Sequence, residues 1–169
     1  MSGKEVFVLD ANVLIEAHRR YYSFDIAPCF WRVLLELADR GHVISIDRVK
    51  DEIIEKGYED ALSKWAKSKF YPWFMSTDNE EVVLAYGEII NWAMEQDQFD
   101  DPAKTEFADD ADSWLIAYAK ANHCTVVTHE GYYKDIKVRI PIPNVCKAFG
   151  IPYVNTFDML RKLNASLGE

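Results

Sequence analysis

The chain has 169 residues, 49% hydrophobic and 28% charged, with 19 basic against 28 acidic side chains and a formal net charge of −9. That length supports one domain, residues 1–169, with a core that needs no disulfide or metal staple, and the composition excludes a disordered chain. The apolar runs are too short to span a bilayer, and a chain this acidic does not hold nucleic acid by global charge without the help of bound cations.

In chain order, KEVFVLD is a short apolar run ending in Asp10, the pattern of a buried strand, and NVLIEA after it reads as a short helix. Pro28 opens a helix, CFWRVLLELADRG, that stops at Gly41. HVISI is a second strand, and Asp47 is placed to cap the next helix, RVKDEIIEKG, which closes at Gly57. EDALSKWAKSKF is helical up to Pro72, and EEVVLAYGEIINWAMEQ is a long helix. FDDPAKTEF reads as a loop, ADDADSWLIAYAKANH as a helix, TVVTH as a strand and KVRIP as a further strand-like piece. NVCKAFGI and TFDMLRKLNASLGE are terminal helices around a last strand near PYVN. Strands alternating with helices predict an α/β fold with a mainly parallel central sheet flanked by helices. Cys29, Cys124 and Cys146 are an odd set without paired spacing and read as reduced thiols of a cytoplasmic protein, and MSGKEVFVLD has no signal-peptide pattern.

Four carboxylates fit a bland core poorly. Asp10 stands at the carboxyl end of a strand, where parallel sheets bind their ligands. It is also placed to cap the helix that follows, although Asn12 can take that role. At about 100° per residue, Leu115, Ile116 and Ala119 lie within about 60° of Asp112, which puts that aspartate on an apolar stripe where it needs a partner. The free N–H groups of a first helical turn are one such partner, with Asp109 as the cap. Glu52 borders the buried side of its helix, and Glu130 follows TVVTH at another strand end, two residues after Thr128. Carboxylates converging at one sheet edge repel unless neutralised. Mg²⁺ or Mn²⁺ suits an all-oxygen site and serves phosphodiester hydrolysis. Asp109 is a helix cap or an extension of that site, and Asp47 is read as a cap.

The blocks FVLDANVLIEA, RVKDEI, ADSWLIAYA and VVTHEGYY resemble, in order, those of the PIN-domain nucleases, which include VapC-type toxins of bacterial toxin–antitoxin systems. The long middle helix and the tail IPIPNVCKAFGI resemble an uncharacterised PIN-like bacterial family. The resemblance implies a PIN-like three-layer sandwich and a Mg²⁺- or Mn²⁺-dependent endoribonuclease. In it Asp10, Glu52 and Asp112 hold the metal or orient its water, and Glu130 stands where many members have aspartate. Asn12, Thr128 and Asp109 are supporting residues. The resemblance also implies an RNA substrate, an antitoxin protein as partner and a homodimer. A catalytically weak binding or assembly module, and a metal-dependent DNA nuclease or phosphatase, stay open beside that reading. For substrate contact the sequence offers Lys134, Lys137 and Arg139 after Glu130, and Arg19 and Arg20 before Tyr21 and Tyr22. Basic and aromatic residues together suit phosphate contact with base stacking. FYPWF, residues 70–74, is either a buried connection or an exposed patch, and the five tryptophans are read as packing.

Overall fold

A computed structural model describes residues 4–56 and 59–168. Its centre is a five-stranded sheet built from β1 (Phe7–Leu9), β2 (Val43–Ile46), β3 (Phe74–Met75), β4 (Thr125–Val127) and β5 (Tyr153–Val154). The strand order is β3-β2-β1-β4-β5 and every pairing is parallel. A parallel sheet is covered on both faces, and the three central strands accordingly bury every residue. In register, Leu9 lies opposite Val127 and Val127 opposite Val154. Asp10 and Thr128 therefore leave the sheet side by side at its carboxyl edge, with Asp10 N donating to the Val127 carbonyl at 3.0 Å.

The helices cover this sheet. α1 (Ala11–Glu16) winds on into a π-helical turn, Ala17–Tyr21. α2 (Pro28–Asp39) begins with proline, and the chain turns at Gly41 with φ +85°, a left-handed conformation that glycine adopts without strain. α3 (Asp47–Ile54) follows β2 directly, and the expected stop at Gly57 lies outside the described residues. α4 (Ala61–Trp65) is capped by Asp60, which accepts from Ser63 N at 2.9 Å, and continues as a π-helical turn, Ala66–Phe70. α5 (Glu80–Glu95) starts at Asn79, whose side chain accepts from Val82 N. α6 (Asp101–Asp109), α7 (Ala111–Asn122), α8 (Ile142–Phe149) and α9 (Thr156–Lys162) complete the set among the described residues. The outcome is the PIN-like α/β arrangement of a parallel sheet between helices, and no described helix is long and apolar enough to cross a membrane.

The structure corrects three readings of the sequence here and describes a fourth segment that the sequence leaves open. DPAKTEF is helical: Asp100 accepts from Ala103 N at 2.9 Å and Pro102 occupies the first turn, where its missing N–H costs nothing. KVRIP forms no strand. Its stretch is held instead by Gln98 Nε2, which donates to the Lys134 and Ile136 carbonyls, and by Asp100 N, which donates to that of Lys137. Asp47 does not cap α3. Its carboxylate accepts from Thr77 N at 3.0 Å and Thr77 Oγ1 at 2.9 Å, tying the start of α3 to the segment after β3. FYPWF is a 3₁₀ turn, Tyr71–Trp73, that runs into the edge strand β3, with Phe70 buried and Tyr71 exposed.

The tryptophans pack as expected. Trp31 and Trp65 lie edge to face at 4.9 Å, Phe24 stacks on Trp31 and Phe70 on Trp65. Trp114 is sandwiched between Tyr86, at 3.8 Å, and the Arg48 guanidinium, at 4.0 Å. All three cysteines are free thiols, and burial pushes Cys124 up to about 11 and Cys146 to about 12.

Candidate metal centre

Asp10 is 1% exposed at the end of the central strand. It occupies the position that would cap α1, yet its side chain makes no capping hydrogen bond. Its Oδ2 accepts instead from Thr128 Oγ1 at 3.1 Å. The same Thr128 oxygen accepts from Glu130 N at 3.1 Å, so one buried hydroxyl links the two strand-end acids. Asp112 lies in the first turn of α7 with Leu115, Ile116 and Ala119 buried beside it. The cap of α7 is Asp110: its carboxylate accepts from Ala111 N at 2.7 Å and its carbonyl from Ser113 Oγ at 3.0 Å. The expectation that Asp109 is the cap is therefore corrected. Asp109 is exposed at the end of α6.

One carboxylate oxygen from each of Asp10, Asp112 and Glu130 lies within 4.8 Å of the other two. Two of these acids come from adjacent strands and the third from the helix end facing them. They adjoin a cavity of about 180 Å³ that Asn12, Asp110, Asp112, Glu130 and Arg139 line. Glu130 is positioned from a distance in sequence: its Oε1 accepts from Ile142 N at 3.1 Å, at the start of α8, and lies 3.6 Å from Arg139 Nη1. Glu52 is not brought into the trio. It stands half-buried on α3, in a groove with Asp109 and Asp110.

Burial and neighbouring negative charges set the electrostatics of Asp10 and Asp112. Burial first, then the Glu130 charge, pushes the Asp10 carboxyl up to about 7, although the Thr128 hydroxyl and the Asn12 backbone favour its charged form. Asp112 is raised well above the usual carboxylate range by burial, then by the charges of Asp10, Asp110, Glu130 and Glu52. Glu52 is raised by burial and Asp110, against a lowering by Lys56. Acids held this close and this dry are an incomplete charge set. Their donors are all carboxylate oxygens, which fits a hard divalent cation such as Mg²⁺ or Mn²⁺ and not a soft, thiolate-seeking one.

A family described as a domain of unknown function (DUF4411) matches residues 7–167. The chain belongs to that family. No curated protein matches this DUF4411 chain. Two solved structures share its fold. FitAcB from Neisseria gonorrhoeae is 17% identical with a TM-score of 0.56, over 90% of this chain and 99% of that one. VapBC2 from Rickettsia felis, bound to a DNA fragment from their promoter, is 15% identical with a TM-score of 0.53, over 89% of this chain and 98% of that one. At these identities the likeness shows the fold, and it agrees with the PIN-like arrangement that the sequence implies.

The remaining candidates of the DUF4411 chain scatter around the cavity. Asn12 is exposed on its wall, and Thr128 is the buried link already described. Of the late basic residues only Arg139 lines it, while Lys134 and Lys137 sit in the exposed stretch after Glu130. Arg19 lines a separate pocket with Glu52, Lys56 and Asp60, and Arg20 is exposed. Sequence reasoning left Asp110 without a role. The doubled aspartate before ADSW is the signal that the second one starts the helix. Nothing in the sequence points to Ile142 N as the partner of Glu130, because the bond joins positions twelve residues apart through an irregular stretch.

Proposed function

We propose that this protein is a Mg²⁺- or Mn²⁺-dependent endoribonuclease, acting as a single PIN-like domain over residues 1–169 in the cytoplasm. The observation that carries the reading is the trio of carboxylate oxygens within 4.8 Å at the carboxyl edge of a parallel sheet, where such folds bind their ligands. Asp10, Asp112 and Glu130 would hold the cation, with Glu52 close enough for its charge to be felt by the first two. A bound divalent ion supplies Lewis acidity, polarising water and stabilising charge on the phosphoryl group. Thr128 fixes the Asp10 carboxylate, while Ile142 N and Arg139 fix Glu130. Arg139 is placed to meet a substrate phosphate once the acids are neutralised, and Asn12 stands ready on the cavity wall. Asp109 and Glu52 flank the groove beside the cavity and would act as supporting groups.

The resemblance to VapC-type toxins and the fold shared with VapBC2 support a toxin role with an antitoxin partner, and with it a homodimer. A basic segment of that partner would complement the acidic cavity. One observation favours the second reading, a catalytically weak binding module: Glu130 Oε1 is already engaged by a backbone N–H and an arginine. Calorimetric titration of Mn²⁺ into metal-free wild type and Asp112→Asn, followed by cleavage of matched RNA and DNA strands, separates the readings. Binding lost in the variant together with RNA cleavage supports the ribonuclease. A ladder on DNA alone makes it a DNA nuclease, and Mn²⁺ binding without cleavage of either strand leaves the binding module.

A further inference from the structure

A second group of side chains leaves the same sheet edge as the acids. Val127 lies opposite Val154 in the register of β4 and β5, and Thr128 N donates to the Val154 carbonyl at 2.9 Å. His129 and the start of α9 are therefore neighbours, and His129 Nε2 lies 2.7 Å from Thr156 Oγ1. Its other ring nitrogen is 3.8 Å from Glu16 Oε1 on α1, so the imidazole is held from both sides. The Phe157 ring runs parallel to it, at 6.3 Å and 9°. Tyr21, at the end of the π-helical turn, stands on edge to both, 6.0 Å from His129 and 6.3 Å from Phe157. Tyr21 is 50% exposed and Phe157 39%. Nearby aromatics are already engaged: Tyr22 stacks on Phe30 at 4.3 Å, and Lys147 covers the Tyr132 ring.

We propose that Tyr21, His129 and Phe157 form a stacking platform for an unpaired base of a single-stranded nucleic acid whose phosphate enters the cavity lined by Asp112, Glu130 and Arg139. This rests on the nuclease reading and adds to it the side chains that would meet a base next to the phosphate. Three observations choose a nucleobase over an apolar protein segment. The platform is continuous with the acids, since His129 is the residue between Thr128 and Glu130. Two exposed arginines, Arg19 and Arg20, lie on the same π-helical turn as Tyr21 in a chain of net charge −9, a local source of positive charge for a polyanion. The exposed rings, Tyr21 and Phe157, are aromatic and one carries a phenol, a surface suited to a flat ring with polar edges.

The test compares binding of a 12-nucleotide oligoadenylate RNA with that of an abasic ribose-phosphate strand of equal length, both in Ca²⁺. Proteins are the full chain, Tyr21→Leu, Phe157→Leu and Tyr21→Trp, with Mn²⁺ titration and Mn²⁺-supported RNA cleavage followed in parallel. The wild type should prefer the base-bearing strand by about 10-fold. The two leucine variants should lose that preference, Tyr21→Trp should keep it, and all should bind Mn²⁺ alike because the rings stand clear of the acids. Equal wild-type binding of both strands, or leucine variants that bind and cleave as the wild type does, overturns the platform while the nuclease reading stands. In that case the patch belongs to a protein partner. A wild type that neither binds nor cleaves any strand rejects the nuclease reading and the platform with it.

Discussion

Replacing Asp10 by asparagine should stabilise the metal-free protein at alkaline pH while removing its capacity to bind Mn²⁺. The folded chain lifts this carboxyl from 3.8 to about 7, with burial the largest cause and the Glu130 charge the next. A proton held more tightly in the folded state contributes stability that is full below the unfolded pKa and lost as pH rises through about 7. At about 1.36 kcal/mol per pH unit, the whole shift corresponds to about 4 kcal/mol, of which about 3 kcal/mol disappears between pH 5 and pH 8. Asparagine cannot ionise and still offers an oxygen to the Thr128 hydroxyl, so the variant escapes that loss. At roughly 2–4 °C per kcal/mol for a chain of this size, its melting-temperature advantage should grow by roughly 5–10 °C from pH 5 to pH 8. Thermal melts of both proteins in EDTA across this range provide the assay, and Mn²⁺ at pH 8 should raise the wild type alone. A gap that stays constant between pH 5 and pH 8 would refute the reasoning, since the buried charge would then carry no cost.

Thr128→Val removes the hydroxyl that serves both Asp10 and Glu130 N. It should cost about 1–2 kcal/mol in urea unfolding and weaken Mn²⁺ binding at pH 7, because Asp10 loses a group that favours its charged form. Arg139→Gln should raise KM for an RNA strand more than it lowers kcat, and should reduce the slope of log affinity against log salt by about one. Asp47→Ala breaks both bonds to Thr77. It should lower stability by about 1–2 kcal/mol with Mn²⁺ affinity nearly unchanged, since Asp47 lies outside the acidic cavity.

Much of this architecture can be read from the sequence because buried parallel strands are uninterrupted apolar runs. VFVL, VISI and TVV announce themselves, and an acid directly after such a run marks the binding edge. The position of Asp112 on an apolar stripe is equally plain from helical period. α6 was hidden because only Ala103 and Phe107 face inward from a run of charged residues, which leaves too little apolar signal to set against a loop. KVRIP alternates like a strand, but Asp100 N takes its first carbonyl and Gln98 those of Lys134 and Ile136 just before it, so alternation alone misleads there. β3 is two residues long and has no local pattern to read. The placing of Glu52 apart from the trio depends on how α3 sits against α7. A helical wheel gives direction around one axis and nothing about the distance between two. The same limit hid the bond between Glu130 and Ile142.

The π-helical winding of Ala17–Tyr21 sets the phase of everything after α1. A π turn takes up about one residue more than an α turn. Winding the same five residues as an α-helix, with none removed, would carry Tyr21 about one residue further round the axis, about 100°. The ring would then face away from His129 and Phe157 while Asp10, ahead of the turn, kept its place. The extra residue thus separates two properties along one continuous helix: where the acid sits, and which way the aromatic rim points. Substitutions that favour α over π winding in this short stretch would turn the rim while leaving the acids as they are.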